Sequence, residues 1–401
     1  MKVCQFIDTY YPVVDGAINV SKYYADSVNK IEESALAAPK AAKKYEETDG
    51  FKVFRCASVG APEKYRCGIP QIDCKFKKAL KNENFDILHA HSPYLLGRYA
   101  VKMGKKYNKP VVATLHTQYK ADFDRVLKGC KPLINFIMRF IMKTYNKADC
   151  VWTVSQRSVD VLRSYGYKGK AEVVYNGTNY TYPENDAELI ERVNILHDLS
   201  GQKNVFLFLG RMVWYKNLKL ICDGLKVLKD SGEDFKMLFV GGGFDYDQVL
   251  AYAKEVGVED KCIFTGQVFD KELIQAYYLR SDLILYPSTA DMAPVAKVEA
   301  AAHNRASLVV ADSCSAELVE DGVNGFLCDN NVESFSAKLK SLCGKEELMR
   351  AAGVNAGKTI YRSWDMVGEE VVKKYQKIID DYQKAQAEKQ QKKLEKKIKK
   401  D

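Results

Sequence analysis

The stretch "VFLFLGRMVWYKN" (residues 205–217) decides the fold. Five apolar residues in a row end at a glycine, Arg211 follows at once, and Lys216 comes five residues later near the start of a helical pattern. A run that is apolar at every position, rather than at every second one, belongs to a strand covered on both faces, as in a parallel sheet. Similar runs recur on both sides of it. "KVCQFID", "FDILHAHS", "KPVVATLHT", "ADCVWTVS" and "AEVVYNG" precede it, and "FKMLFVGGG", "KCIFTGQV", "SDLILYPS" and "SLVVADS" follow, with longer helical patterns between them. This alternation predicts an α/β protein of two doubly wound, Rossmann-like domains in tandem. The segment "TNYTYPENDAELIERVNILHDLSGQKN", polar and without apolar periodicity at its start, reads as a linker between a first domain over residues 1–180 and a second over 203–363. Ligands of such sheets bind beyond the carboxyl ends of the strands, so the site is expected in a cleft between the domains.

Length agrees with two domains, because 401 residues exceed what one core usually supports. The net charge of +9 permits attraction to an anionic partner without choosing among nucleic acid, phospholipid and phosphorylated substrates. Eleven cysteines without a C-x-x-C pair argue against a zinc knuckle and for free thiols in a reducing cytosol. The start "MKVCQFIDTYYP" is too short in apolar residues for a signal peptide, and no run approaches a membrane span, so a soluble or membrane-surface protein is expected. Near the end, "WDMVGEEVVKKYQKIIDDY" has helical spacing that predicts a helix over 364–384, and residues 385–401 form a charged tail, frayed or disordered.

Several constellations could carry chemistry. Arg211 and Lys216 beside a helix start suit a diphosphate, and a solvated loop fits the spacing equally. Gly241, Gly242 and Gly243 allow a tight turn at a strand end and do not match the dinucleotide fingerprint. Asp245 and Asp247 have a spacing that can hold a divalent ion, but they open an amphipathic segment and read as helix-start acids, so no metal site is assigned. His89, His91 and His116 end two strands; without a further ligand they read as hydrogen-bonded core or rim residues. "KPLINFIMRFIMKTYNKAD" predicts an amphipathic helix with a basic stripe through Arg139, Lys143 and Lys147, which covers a sheet and can present its rim to anionic lipid. In "DMAPVAKVE", Asp291 follows a strand, Pro294 suits a first helical turn, and Glu299 lies one and a half turns further. The two acids can grip two parts of an elongated ligand, or they can be ordinary helix residues.

Taken in order, these pieces resemble the family 4 glycosyltransferases of the GT-B fold over nearly the whole chain. "DTYYPVVDG", "DILHAHSP", "TLHT", "VYNGTN", "GRMVWYKN", "DMAPVAKVE" with the following "AAA", and "AELVEDGVNGFL" are the segments that carry the likeness, the fifth matching G-R-x(4)-K and the sixth E-x7-E. The opening "FIDTYYPVVDG" is most similar to members that glycosylate diacylglycerol or other lipids. The resemblance implies two Rossmann-like domains facing across a cleft, with the C-terminal helix crossing back to the first. It further implies a retaining, metal-independent hexosyltransferase without a cofactor. Its donor would be a nucleotide-diphosphate sugar, UDP-linked in the first instance, and its acceptor a membrane lipid or glycolipid. Nucleic acid is not among the implied partners, and the location is cytoplasmic, at the inner membrane surface. By the same resemblance, Gly16 approaches the donor phosphates, Arg211 and Lys216 bind the diphosphate, and His116 contacts the donor sugar. Asp291 holds sugar hydroxyls, Glu299 binds the ribose, and Glu317 matches an acid of unassigned role. The chain departs from the pattern where Asp291 replaces the usual Glu, where "MAP" replaces residues that include Gly, and where Glu32 and Glu33 replace apolar residues before the second strand. A sugar-nucleotide epimerase and a non-catalytic GT-B subunit are the alternatives.

Overall fold

The structure, a computed structural model, describes residues 1–13, 16–43, 45–60 and 66–398. Residues 14 and 15 of the "DTYYPVVDG" loop and 399–401 of the charged tail lie outside them. The chain forms two compact units, one from Met1 to Tyr175 together with the segment from Trp364, the other from Asn176 to Ser363.

The first unit runs β1 (Lys2–Phe6), α1 (Gly16–Asn29), β2 (Glu33–Pro39), β3 (Lys52–Cys56), β4 (Ser58–Gly60), β5 (Arg66–Gly68), α2 (Cys74–Glu83), β6 (Ile87–Ala90), α3 (Leu95–Tyr107), β7 (Val111–Leu115), α4 (Tyr119–Val126), α5 (Lys131–Tyr145), β8 (Cys150–Thr153), α6 (Gln156–Ser164) and β9 (Ala171–Val173). Among the described residues its main sheet has seven parallel strands in the order β3-β2-β1-β6-β7-β8-β9; β4 and β5 form a separate antiparallel pair. The strand order reverses between β1 and β6. Despite Glu32 and Glu33, the second strand forms: Glu33 stands exposed at its first position, and Ser34 to Pro39, mostly small residues, are buried.

The second unit runs α7 (Asp186–His197), β10 (Val205–Leu209), α8 (Leu218–Asp230), β11 (Lys236–Val240), α9 (Tyr246–Glu255), β12 (Cys262–Gly266), α10 (Lys271–Arg280), β13 (Leu283–Leu285), α11 (Val295–Ala302), β14 (Ser307–Val310), β15 (Phe326–Cys328), α12 (Val332–Leu342) and α13 (Glu346–Thr359). Its six strands are parallel in the order β12-β11-β10-β13-β14-β15, with the reversal between β10 and β13. Alternate residues of β10 enter two different cores, Phe206 and Phe208 on one face and Val205 and Leu207 on the other, which is why the strand is apolar throughout.

The expected linker needs correcting. Its middle is α7, which packs on α10 through buried Leu189 and Val193, four residues apart on one helical face. α14 (Trp364–Ile398) returns to the first unit and packs on α1, with Val367, Val371, Tyr375 and Ile379 buried. It continues as helix through residues expected to fray. No helix among the described residues is long and apolar enough to cross a membrane, and all eleven cysteines are free.

Candidate active site

In the second unit the strand order reverses beside the end of β10, where an open parallel sheet leaves a crevice for ligands. The loop after β10 is laced to the glycine run after β11. The Gly210 N–H donates to the Val240 carbonyl at 3.0 Å and the Met212 N–H to the Gly242 carbonyl at 2.8 Å. A Cβ on Gly241 or on Gly243 would lie 2.1 Å from the carbonyl oxygen of Gly210 or Met212 respectively, so this close backbone approach admits only glycine. Asp245 does not cap its own helix. Its carboxylate accepts the Trp214 N–H at 2.9 Å and thereby fixes the 3₁₀ turn Trp214–Lys216 that carries Lys216. Asp247 lies in the first turn of α9. Among the described residues no three His, Cys, Asp or Glu side chains converge as metal ligands.

Lys216 and Asp291 meet here. Lys216 Nζ donates to the Tyr286 hydroxyl at 2.8 Å and lies 3.8 Å from Asp291 Oδ2. That same oxygen accepts from Tyr286 at 3.0 Å and from Ser288 at 2.6 Å. Tyr286, one residue beyond β13, is held by stacking on Phe208 of β10, centroids 5.9 Å apart. Burial lowers the Lys216 pKa, while Asp291 beside it opposes the shift. Arg211, also on this loop, is exposed and bonds through its guanidinium to the Tyr215 hydroxyl. The result is a partly buried cation braced against a carboxylate, with an exposed arginine on the same loop, at the carboxyl end of the sheet.

Helix α11 follows Asp291, with Pro294 at its N-cap. Glu299 is half-buried on it, and the Tyr278 hydroxyl of α10 donates to its Oε2 at 2.8 Å. Burial raises the Glu299 pKa and the Tyr278 bond partly offsets this. Lys297, in the first turn of the helix, is buried and directs Nζ to the carbonyls of Ser315, at 2.9 Å, and Glu317. Burial pushes Lys297 down to about 8. Glu317 thus contributes a backbone oxygen that ties the loop after β14 to α11.

The other expected site residues belong to the first unit. Gly16 is the exposed first residue of α1, and a Cβ there would meet nothing within 4 Å, so its position does not require glycine for space. His116 follows β7, its Nε2 3.0 Å from His91 Nδ1, and burial lowers its pKa to about 4. His89 and His91 are fully buried and hydrogen-bonded, as their strand-end positions led us to expect. Sequence reasoning passed over Asp8, two residues beyond β1. Its buried carboxylate accepts the Leu96 N–H at 2.6 Å and the Tyr94 N–H at 3.0 Å, capping α3 from a distance, and burial raises it to about 6. Tyr286, Tyr278 and Lys297 were missed as well. Only Lys297 left a sequence signal, a lone cation inside the apolar run "PVAKVEAAA".

Comparison with known proteins agrees with this architecture. The Glycosyltransferase Family 4 profile matches residues 33–182 and the profile of glycosyl transferases group 1 matches residues 169–359. An uncharacterised glycosyltransferase of Methanocaldococcus jannaschii is 23% identical over 377 residues, 92% of this chain and 97% of that protein. An alpha-monoglucosyldiacylglycerol synthase of Streptococcus pneumoniae is 21% identical over 378 residues, 90% of this chain and 85% of that protein. Among solved structures, Anabaena HepE in complex with UDP superposes with a TM-score of 0.73 at 17% identity, covering 94% of this chain and 100% of that one. The sucrose-phosphate synthase of Thermosynechococcus elongatus superposes at 0.75 and 16% identity, covering 95% and 99%. With two doubly wound sheets, the G-R-x(4)-K loop at one switch point and both family profiles along its length, the chain belongs to the family 4 glycosyltransferases of the GT-B fold.

Proposed function

We propose that this glycosyltransferase is a retaining, metal-independent hexosyltransferase that moves a hexose from a nucleotide-diphosphate sugar, UDP-linked in the first instance, to a membrane lipid or glycolipid such as diacylglycerol. The observation that carries this reading is Lys216 braced by Tyr286 against Asp291 at the switch point of the second sheet. As the glycosidic bond breaks, negative charge grows on the diphosphate, and a cation fixed before the reaction stabilises that charge more in the transition state than in the ground state. Lys216 and Arg211 take this role together. Asp245 is committed to the Trp214 N–H, which leaves lysine and arginine, rather than a carboxylate-held ion, to meet the phosphates.

The remaining residues divide the donor between them. Asp291 Oδ2 is occupied by Tyr286 and Ser288, and Oδ1 is left to accept a sugar hydroxyl. Glu299, with one oxygen anchored by Tyr278, uses the other for the ribose. The family resemblance alone assigns Gly16, at the start of α1, to the phosphates and His116 to the sugar. The retaining outcome rests on the family resemblance. The lipid acceptor is supported by the relatives named alpha-monoglucosyldiacylglycerol synthase and by α5, where Leu133 and Phe136 stand exposed among Lys131, Arg139 and Lys143. An exposed apolar strip with a basic rim fits an anionic bilayer surface, and the enzyme works there as a peripheral protein of the cytoplasmic face.

The test is incubation of the purified chain with radiolabelled UDP-glucose, UDP-galactose and GDP-mannose and vesicles containing diacylglycerol. Labelled lipid with an α-linkage is the expected product. Release of an isomerised nucleotide sugar with no labelled lipid would replace the transferase reading with an epimerase.

A further inference from the structure

A single file of hydrogen bonds crosses the interior of the first unit. His116 Nε2 lies 3.0 Å from His91 Nδ1, and His91 Nε2 lies 2.8 Å from the side-chain carbonyl of Gln5. The Gln5 amide then donates to the Tyr375 hydroxyl at 3.4 Å. Tyr375 meets His89 Nδ1, and His89 Nε2 lies 2.6 Å from Thr114 Oγ1. Gln5, His89 and His91 are completely buried, and Tyr375 arrives from α14, stacked on Trp152 at 5.3 Å.

The direction of this file follows from the orientation of the Gln5 amide, whose carbonyl faces His91 and whose NH2 faces Tyr375. An amide oxygen only accepts, so His91 carries its proton on Nε2. Burial pushes the pKa of His91 far below its ordinary value, so the ring is neutral near pH 7 and its Nδ1 is bare. That nitrogen must accept, so His116 carries its proton on Nε2 and points it at His91. The two rings are only 19° from coplanar, which suits an in-plane bond. On the other side, Tyr375 accepts from Gln5 and therefore donates to His89 Nδ1, and His89 donates from Nε2 to Thr114. Every member thus donates to the next, from His116 to Thr114. Among the described residues none bonds to His116 Nδ1, and this ring, unlike those of His89 and His91, is partly exposed.

We propose that Gln5, His91 and Tyr375 are positioning residues that hold His116 as the Nε2–H tautomer, so that its Nδ1 lone pair accepts a hydrogen bond from a hydroxyl of the donor sugar. This rests on the reading above that His116 meets that sugar. It assigns His116 the role of acceptor rather than proton donor, and it makes a residue from the C-terminal helix part of the setting of a group at the end of β7. The opposite sense requires the Gln5 amide to turn over, with its NH2 in place of its carbonyl against His91.

Histidine-labelled ¹⁵N NMR on the ligand-free full chain reads the tautomer directly, without reference to activity. The expected wild-type signature is an unprotonated Nδ1 and a protonated Nε2 on His116; the reverse pattern overturns the proposal at once. Gln5→Leu removes the acceptor that orients His91, and should give His116 an averaged signature and a kcat with UDP-glucose lower by about tenfold, the scale of one hydrogen bond. Affinity for UDP alone, which has no sugar, should stay unchanged. In a His116→Ala background, Gln5→Leu should have no further effect on kcat. An equal loss in that background would show that Gln5 acts only on the fold and sink the positioning role. Should Gln5→Leu fail to fold, Tyr375→Phe, which frees the Gln5 amide to turn over and keeps the ring stack, replaces it with the same expected outcomes. If His116→Ala transfers sugar at the wild-type rate while the tautomer is as stated, the donor-sugar reading falls, and the positioning role with it, though the ring assignment stands.

Discussion

Tyr286→Phe removes one oxygen from the network that holds Lys216 and Asp291. The ring itself keeps its place, because its stack on Phe208 does not involve the hydroxyl. Two charge-assisted bonds disappear, one from Lys216 Nζ at 2.8 Å and one to Asp291 Oδ2 at 3.0 Å. Bonds to charged groups contribute about 1.5–3 kcal/mol each. Asp291 keeps its Ser288 donor, and Lys216 can close the 3.8 Å gap to Asp291, so part of the loss is recovered. A net destabilisation of about 2 kcal/mol is therefore expected, together with a fall in turnover of about one to two orders of magnitude as the cation loses its fixed position. The assay is urea unfolding of the wild type, Tyr286→Phe, Lys216→Met and the double variant, with turnover measured on the same four proteins. If the hydroxyl acts through Lys216, its removal costs less once the lysine is gone, and the two substitutions couple by about 1 kcal/mol or more. Effects that add to within about 0.3 kcal/mol would refute the bracing of Lys216 by Tyr286.

The loop held by Lys297 should reveal itself through pH. A lysine held near 8 in the fold and near its ordinary value when unfolded makes the unfolded chain bind more protons in between, so stability should rise with pH from about 8 to about 10. Measured by urea unfolding, the wild type should gain about 2 kcal/mol on Lys297→Met between about pH 7 and about pH 9.5, and a constant difference would argue that Lys297 stays charged throughout. Glu299→Gln should weaken calorimetric binding of UDP by about 1–3 kcal/mol, whereas Asp291→Asn should lower turnover more than it weakens UDP binding, because UDP lacks the sugar. Unchanged UDP affinity in the first and unchanged turnover in the second would reduce both acids to helix-start residues. Vesicle binding should fall with added salt and with removal of anionic lipid, and Phe136→Ser should weaken it further. Binding indifferent to all three changes would return α5 to a purely structural role.

The strands were legible because burial on both faces writes itself as an unbroken apolar run, as β10 and β11 show. α7 was not, because it buries chiefly Leu189 and Val193 and leaves Ile195 and Leu196 exposed, which dilutes the helical period. The far end of α14 has little apolar patterning at all, so its helical state could not be read from burial. At the candidate site, spacing within single segments singled out Arg211, Lys216, Asp291 and Glu299 but fitted a solvated loop and ordinary helix residues as well, and only the family resemblance gave them roles. Their supports were not singled out. Tyr286 reaches Lys216 across 70 positions, and Tyr278 reaches Glu299 across 21, contacts that only the folded sheet creates. The bond that Asp245 accepts from the Trp214 N–H, 31 positions earlier, lay beyond any local pattern.

The return of α14 gives the two units different histories during synthesis. The second unit is one uninterrupted segment and can close as soon as it leaves the ribosome. The first cannot: Gln5 and His89 emerge early, and their partner Tyr375 follows 370 and 286 positions later. At about 5–20 residues per second, the interior of the first unit waits on the order of tens of seconds with buried polar groups unmatched and the face meant for α14 uncovered. The segment translated first is thus the last to be completed, and a chain cut short before Trp364 would keep a finished second unit beside a first unit that remains open to chaperones and proteases.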